Sequence, residues 1–147
     1  MVAITGASSG IGRAIAHELS RRGDALILIS RDPEVLAAVV SECEALGGRA
    51  VAAAADVTNE SELCDAASRG IADLGPLDAW INCAAVVSYG RFEETPSDVF
   101  RRVIETNLLG CVNGARIAMG EFRRRATAVR VVVERDRRVL AMRRLRR

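Results

Sequence analysis

Apolar and polar positions fall into short blocks that switch between two periods. Val2-Ala3-Ile4 and Ala25-Leu26-Ile27-Leu28-Ile29 are unbroken apolar runs, the pattern of strands covered on both faces. Between them Ile11, Ala14, Ile15 and Leu19 recur at helical spacing, and Arg21-Arg22-Gly23-Asp24 closes that helix. Pro33 opens a second helix, with Val35, Leu36, Val39, Val40 and Leu46 along one side and Gly47-Gly48 at its end. Ala50 to Ala54 reads as a third strand. Asn59 caps a third helix that runs to about Ala72, and Gly75-Pro76 breaks it. Leu77 to Asn82, with Trp80 inside, makes a fourth strand. After a loop from Val86 to Thr95, Pro96 opens a long helical region reaching about Arg125. Val99, Val103, Ile104, Leu108, Val112, Ala115 and Met119 form its apolar stripe. Ala128 to Val133 is a candidate fifth strand, and beyond it neither period persists.

Strands alternating with helices of this length imply βαβ units and a parallel sheet. Right-handed crossovers then put helices on both faces. The expected class is α/β, a Rossmann-like doubly wound parallel sheet of order 3-2-1-4, with the fifth strand able to join and the C-terminal side incomplete. Residues 1–125 form the expected cofactor-binding domain, and 126–147 the candidate strand with an Arg-rich tail.

Thr5-Gly6-Ala7-Ser8-Ser9-Gly10-Ile11-Gly12 joins the first strand to the first helix. Unpaired N–H groups and the helix dipole make such a helix start an anion site. Gly6 permits the turn off the strand, Gly10 lets a pyrophosphate approach the backbone, and Gly12 allows close packing of helix on sheet. Ser8 and Ser9 can cap the helix or donate to a phosphate.

The glycine spacing is G-x-x-x-G-x-G, and with Thr5 ahead of it the octet resembles the cofactor loop of the short-chain dehydrogenase/reductase family. Asp56-Val57 resembles that family's adenine-pocket motif, in which the Asp accepts a hydrogen bond. Asn82-Cys83-Ala84-Ala85 is similar to its Asn-Asn-Ala-Gly, with Cys83 and Ala85 departing from it. Glu105 to Gly110 resembles the helix carrying its catalytic asparagine. The resemblance therefore implies that Asn107 holds a water in a proton relay. It implies a dinucleotide held by Gly6, Ser8, Ser9, Gly10, Ile11, Gly12, Arg31, Asp56, Val57, Asn82 and Ala84.

Charge then bears on the choice of cofactor. An NAD enzyme needs a carboxylate at the end of the second strand to accept from the ribose 2′-hydroxyl. Ser30 stands there and Arg31 follows, and a guanidinium pairs well with a 2′-phosphate. NADP(H) is expected over NAD(H). Two alternatives oppose this: Asp32 neutralises Arg31, or Arg31 is a solvated turn residue.

The family's chemistry also needs a serine after the fifth strand and a Tyr-x-x-x-Lys on the next helix, the tyrosine acting as acid or base and the lysine tuning it. Here Tyr89 is the only tyrosine, Glu93 stands four residues on, and no serine follows Ser97. All 21 basic residues are arginine. The resemblance thus covers 1 to about 125 and then fails.

The net charge of +2 conceals an asymmetry: −7 over residues 1–122 and +9 over 123–147. This tail is expected to be an out-of-frame reading after a frameshift. A phosphate-binding role for it is disfavoured, because it lacks interleaved aromatics. With half its residues hydrophobic and 27% charged, the chain has a globular balance and no run of membrane-spanning length. The first strand leaves no room for a signal peptide. Cys43, Cys64, Cys83 and Cys111 form no C-x-x-C pair, which fits reduced thiols and a cytoplasmic location. His17, the only histidine, is expected on an exposed helix face, and no metal site is expected.

Three functions follow in order: an NADP-dependent oxidoreductase, catalytically incomplete as it stands; a non-catalytic dinucleotide-binding fragment; and a basic-tail interaction protein. A small carbonyl or alcohol substrate is expected only in full-length relatives, and nucleic acid and membrane are not expected partners. Apolar surface and a sheet edge left uncovered predict self-association or aggregation.

Overall fold

The computed structural model describes residues 1–125 in full and the backbone of 131–135 and 138–141. Its strands are β1 (Val2–Thr5), β2 (Ala25–Ser30), β3 (Arg49–Ala54), β4 (Ala79–Asn82), β5 (Val131–Arg135) and β6 (Arg138–Ala141). They form one open sheet in the order β3-β2-β1-β4-β5-β6. The pairs from β3 to β5 are all parallel, with Ile4 between Leu28 and Ile81 at the centre. The sheet is Rossmann-like, with β5 in the fifth place. β6 was not expected: it returns antiparallel along β5, Val133 opposite Leu140. A hairpin needs only two short runs, too little for periodicity to reveal. The rest of the Arg-rich tail lies outside the described residues.

Helices α1 (Gly10–Arg21) and α2 (Pro33–Ala45) cover one face of the sheet, and α3 (Glu60–Leu74) and α5 (Gly110–Arg124) the other. β2 is apolar at every position because side chains alternate between two cores. Leu26 and Leu28 pack with Ala16, Leu36 and Val39, whereas Ile27 and Ile29 pack with Leu63, Ala66, Trp80 and Phe122. Asp32 caps α2 by accepting from the N–H of Glu34 and Val35 at 3.0 and 3.1 Å. Asn59 caps α3 by accepting from Glu62 N–H at 3.2 Å. These caps remove the orphan donors that would otherwise weaken each first turn.

Two helices bury a face other than the expected stripe. In α1 the fully buried residues are Gly12, Ala16 and Ser20, while Ile11 is exposed. The long region after Pro96 is α4 (Ser97–Ile104), a π turn over Glu105–Leu109, and α5, preceded by a 3₁₀ turn at Phe92–Glu94. Its buried positions are Thr106, Gly110, Gly114, Ala118 and Phe122. Val99, Ile104, Leu108 and Val112 of the expected stripe are exposed. Small residues bring a helix axis closer to the sheet, so the inward face is chosen by size as much as by hydrophobicity.

Candidate cofactor cleft

The site lies at the carboxyl edge of β1, β2, β3 and β4. Thr5 ends β1, and its buried hydroxyl accepts from the N–H of Cys83 and Ala84 at 3.2 and 3.3 Å, tying the glycine loop to the segment after β4. Gly6 sits at φ +68°, and a Cβ there would lie 2.6 Å from Ala84 N, so only glycine fits the close approach. Gly10, at φ +52°, has nothing within 4 Å of its absent Cβ and opens towards the cleft. At Gly12 the added Cβ would meet Gly6 O at 2.2 Å. Its role is therefore to close the loop on itself; the expected contact of helix on sheet is not what forbids a side chain there. Ser9 takes the N-cap position of α1 without a side-chain cap bond. The N–H groups of that first turn are left to a ligand or to water.

A cleft of about 380 Å³ opens from this loop. Gly6, Ser8, Ser9, Gly10, Ile11 and Gly12 form one wall; Arg31, Asp56, Val57 and Ala84 complete the expected set. Ser30, Asp32, Ala55, Cys83, Ala85, Val86 and Thr106 also line it. Thr106 was not singled out from the sequence; the signal was a buried hydroxyl residue beside Asn107 in an otherwise apolar stretch. The Ser30 hydroxyl is buried and has no partner. Arg31 makes no ion pair among the described residues, because Asp32 is turned to its capping role.

Asp56 is more constrained. One carboxylate oxygen, Oδ1, accepts from the N–H and the hydroxyl of Thr58 at 2.9 and 2.8 Å. The other, Oδ2, accepts from Arg102 Nη2 at 3.2 Å. Burial pushes this carboxyl up, but the two Thr58 hydrogen bonds and the charges of Arg102 and Arg31 outweigh it, and the net displacement is below the ordinary Asp value. Val57 is held from behind, its carbonyl accepting from Asn113 Nδ2 at 2.9 Å.

Two expected site residues are placed differently. Asn82 is buried away from the cleft lining; its Oδ1 accepts from the Trp80 indole N–H at 2.9 Å, and its Nδ2 has no partner. Gly114 of α5 leaves the room for that pair, since a Cβ there would lie 2.5 Å from Asn82 Oδ1. An amide at a strand end faces one side of the sheet or the other, and here register sends it to the α5 side. Asn107, in the π turn, holds the Val86 backbone at both ends: Oδ1 accepts from Val86 N–H at 2.8 Å and Nδ2 donates to Val86 C=O at 2.9 Å. Its side chain thus fixes the cleft segment after β4.

Tyr89 is 93% exposed on the loop beyond, and the nearby Arg91 lies within 4 Å of the carboxylates of Glu93 and Glu94. His17 is not on a free surface, as expected, but half-buried between α1 and α2, with Nε2 2.8 Å from Glu42 Oε2. Arg13 Nε donates to the same carboxylate at 2.9 Å. Among the described residues no helix is long and apolar enough to cross a membrane.

The family model described as short chain dehydrogenase matches residues 1–134. An uncharacterized oxidoreductase of Bacillus subtilis, YxnA, is 32% identical over 122 residues, which cover 83% of this chain and 34% of that one. An alcohol dehydrogenase from the archaeon Thermococcus sibiricus, solved with 5-hydroxy-NADP, superposes with a TM-score of 0.80 at 30% identity, over 88% of this chain and 56% of that one. A short chain dehydrogenase from Mycobacterium paratuberculosis, bound to NAD, superposes with a TM-score of 0.85 at 25% identity, over 90% and 54%. The chain thus spans about a third of the first relative's length and about half of these solved chains.

Proposed function

Because the chain belongs to the short chain dehydrogenase family, which binds NAD(P), we propose that this cleft holds NADP(H) in preference to NAD(H). The residues present suit the group. The bare backbone at Gly10 and the unpaired N–H groups of α1 suit the pyrophosphate. The orphan Ser30 hydroxyl suits an adenosine ribose and repels no phosphate. Asp56 and Val57 take the adenine edge. Ser8, Ser9, Ile11 and Ala84 complete the walls. The observation that carries the preference is Arg31, lining the cleft without an ion pair while Asp32 is committed to its cap.

When bound, the dinucleotide supplies a hydride for exchange with a carbonyl or alcohol carbon. The described residues bind and orient it, with Asn107 keeping the Val86 segment in place. They offer no proton donor tuned by a lysine, since the sequence has none and Tyr89 stands out in solvent. The function proposed for these 147 residues is dinucleotide binding within an oxidoreductase fold, without carbonyl chemistry of their own. A cytoplasmic location belongs to the same proposal and rests on the four dispersed cysteines.

Titration of the chain with NADPH and NADH tests it. A charge-assisted contact contributes about 1.5–3 kcal/mol, so NADPH should bind roughly ten- to a hundredfold more tightly. Arg31→Ala should erase most of that ratio, and Gly10→Val should remove binding of both. Equal affinities in the parent chain, or a ratio unchanged by Arg31→Ala, would refute the preference.

A further inference from the structure

Arg102 stands on α4, outside the lining of the cleft, yet its guanidinium reaches Asp56 Oδ2 at 3.2 Å. The other oxygen of that carboxylate already accepts two hydrogen bonds from Thr58. An amino group arriving at Asp56 therefore has Oδ2 as its acceptor, the oxygen that Arg102 holds. Both partners keep contact with solvent, at 46% and 25% side-chain exposure, so the pair can open. No residue of α4 is buried, which leaves this ion pair as a tether from that helix to the segment after β3.

We propose that Arg102 sets base selectivity in the cofactor cleft: it competes with the exocyclic amino group of adenine for Asp56 Oδ2 and must be displaced when that base docks. This rests on Asp56 being the adenine acceptor, as proposed above. A base with a carbonyl oxygen in place of the amino group makes no such demand. It accepts from Arg102 instead of displacing it.

The experiment measures binding of NADH and of its hypoxanthine analogue, which differ at that one position, to the 147-residue chain and to Arg102→Gln. The substituted side chain is half-exposed and caps nothing, so the variant folds as the parent does. Losing an exposed ion pair should raise the adenine-to-hypoxanthine affinity ratio about two- to fivefold. In an Asp56→Asn background the same substitution should leave the ratio where it was. A ratio that stays constant or falls in Arg102→Gln overturns the competition while leaving the cofactor reading in place. Failure of the folded parent and variant to bind either dinucleotide overturns both.

Discussion

Replacing Asn107 by alanine tests whether its side chain is a scaffold for the cleft. The substitution removes two hydrogen bonds to one residue, at 2.8 Å to Val86 N–H and 2.9 Å to Val86 C=O. Each contributes about 0.5–1.5 kcal/mol net. Both residues are half-buried, so water can reach the freed groups, and about 1–2 kcal/mol is expected in all. For a chain of this size that lowers Tm by roughly 2–8 °C, read by calorimetry or circular dichroism. Dinucleotide affinity should fall by up to the same free energy, about five- to thirtyfold, because the segment from Cys83 to Val86 must be reordered on binding. Asn107→Asp is the sharper control. It keeps the acceptor for Val86 N–H but sets an oxygen against Val86 C=O, so it should be no more stable than the alanine variant. A role confined to holding a catalytic water would leave stability and affinity untouched. An Asn107→Ala chain with unchanged Tm and unchanged affinity would refute the scaffold.

Other outcomes follow from the same structure. No NADPH-dependent ketone reduction or alcohol oxidation should be detectable with the chain, since a positioned acid typically contributes 10²–10⁴-fold and none is present; steady turnover abolished by Tyr89→Phe would contradict this. Asp56 has a carboxyl displaced below its ordinary value of about 3.9, so its stabilisation is present above that pH and is lost as pH falls towards the folded value. The stability gap between parent and Asp56→Asn, followed by urea denaturation, should hold from pH 5 upward and close below about pH 4; a gap that widens in acid would reverse the assignment. Phe100, Ile104, Leu108 and Val112 are exposed at every fourth residue along one helical stripe. Sedimentation velocity should show self-association that Leu108→Glu reduces, and a concentration-independent monomer in the parent would exclude it.

The backbone of this site was legible because its signals are local. Gly6 and Gly10 stand where the chain takes positive φ, and Asn59 stands at a helix start it caps. The direction taken by individual side chains was not local. Asn82 lies at the expected strand end, but its amide pairs with Trp80 across the α5 face, a choice made by sheet register and by the space over Gly114. His17 looked solvent-facing within its own helix, and its partner Glu42 lies on another. The apolar stripe of the long helix misled for a different reason. The π turn at Glu105–Leu109 breaks a single 3.6-residue period into two phases, so a stripe drawn through both cannot be the buried one.

That turn has a consequence for how the sequence can vary. An α-helix advances about 100° per residue, so one residue removed between Glu105 and Leu109 would rewind the turn to ordinary pitch and rotate everything after it by about that angle. Gly110, Gly114 and Ala118 would swing off β4, and Cys111 or Ala115 would be carried towards Val57 and Trp80, where even a methyl group has no room. The π turn therefore acts as a phase lock between the two halves of the helix. Substitutions on its outer surface are cheap, whereas a single-codon deletion within it would derail the packing of the whole second half.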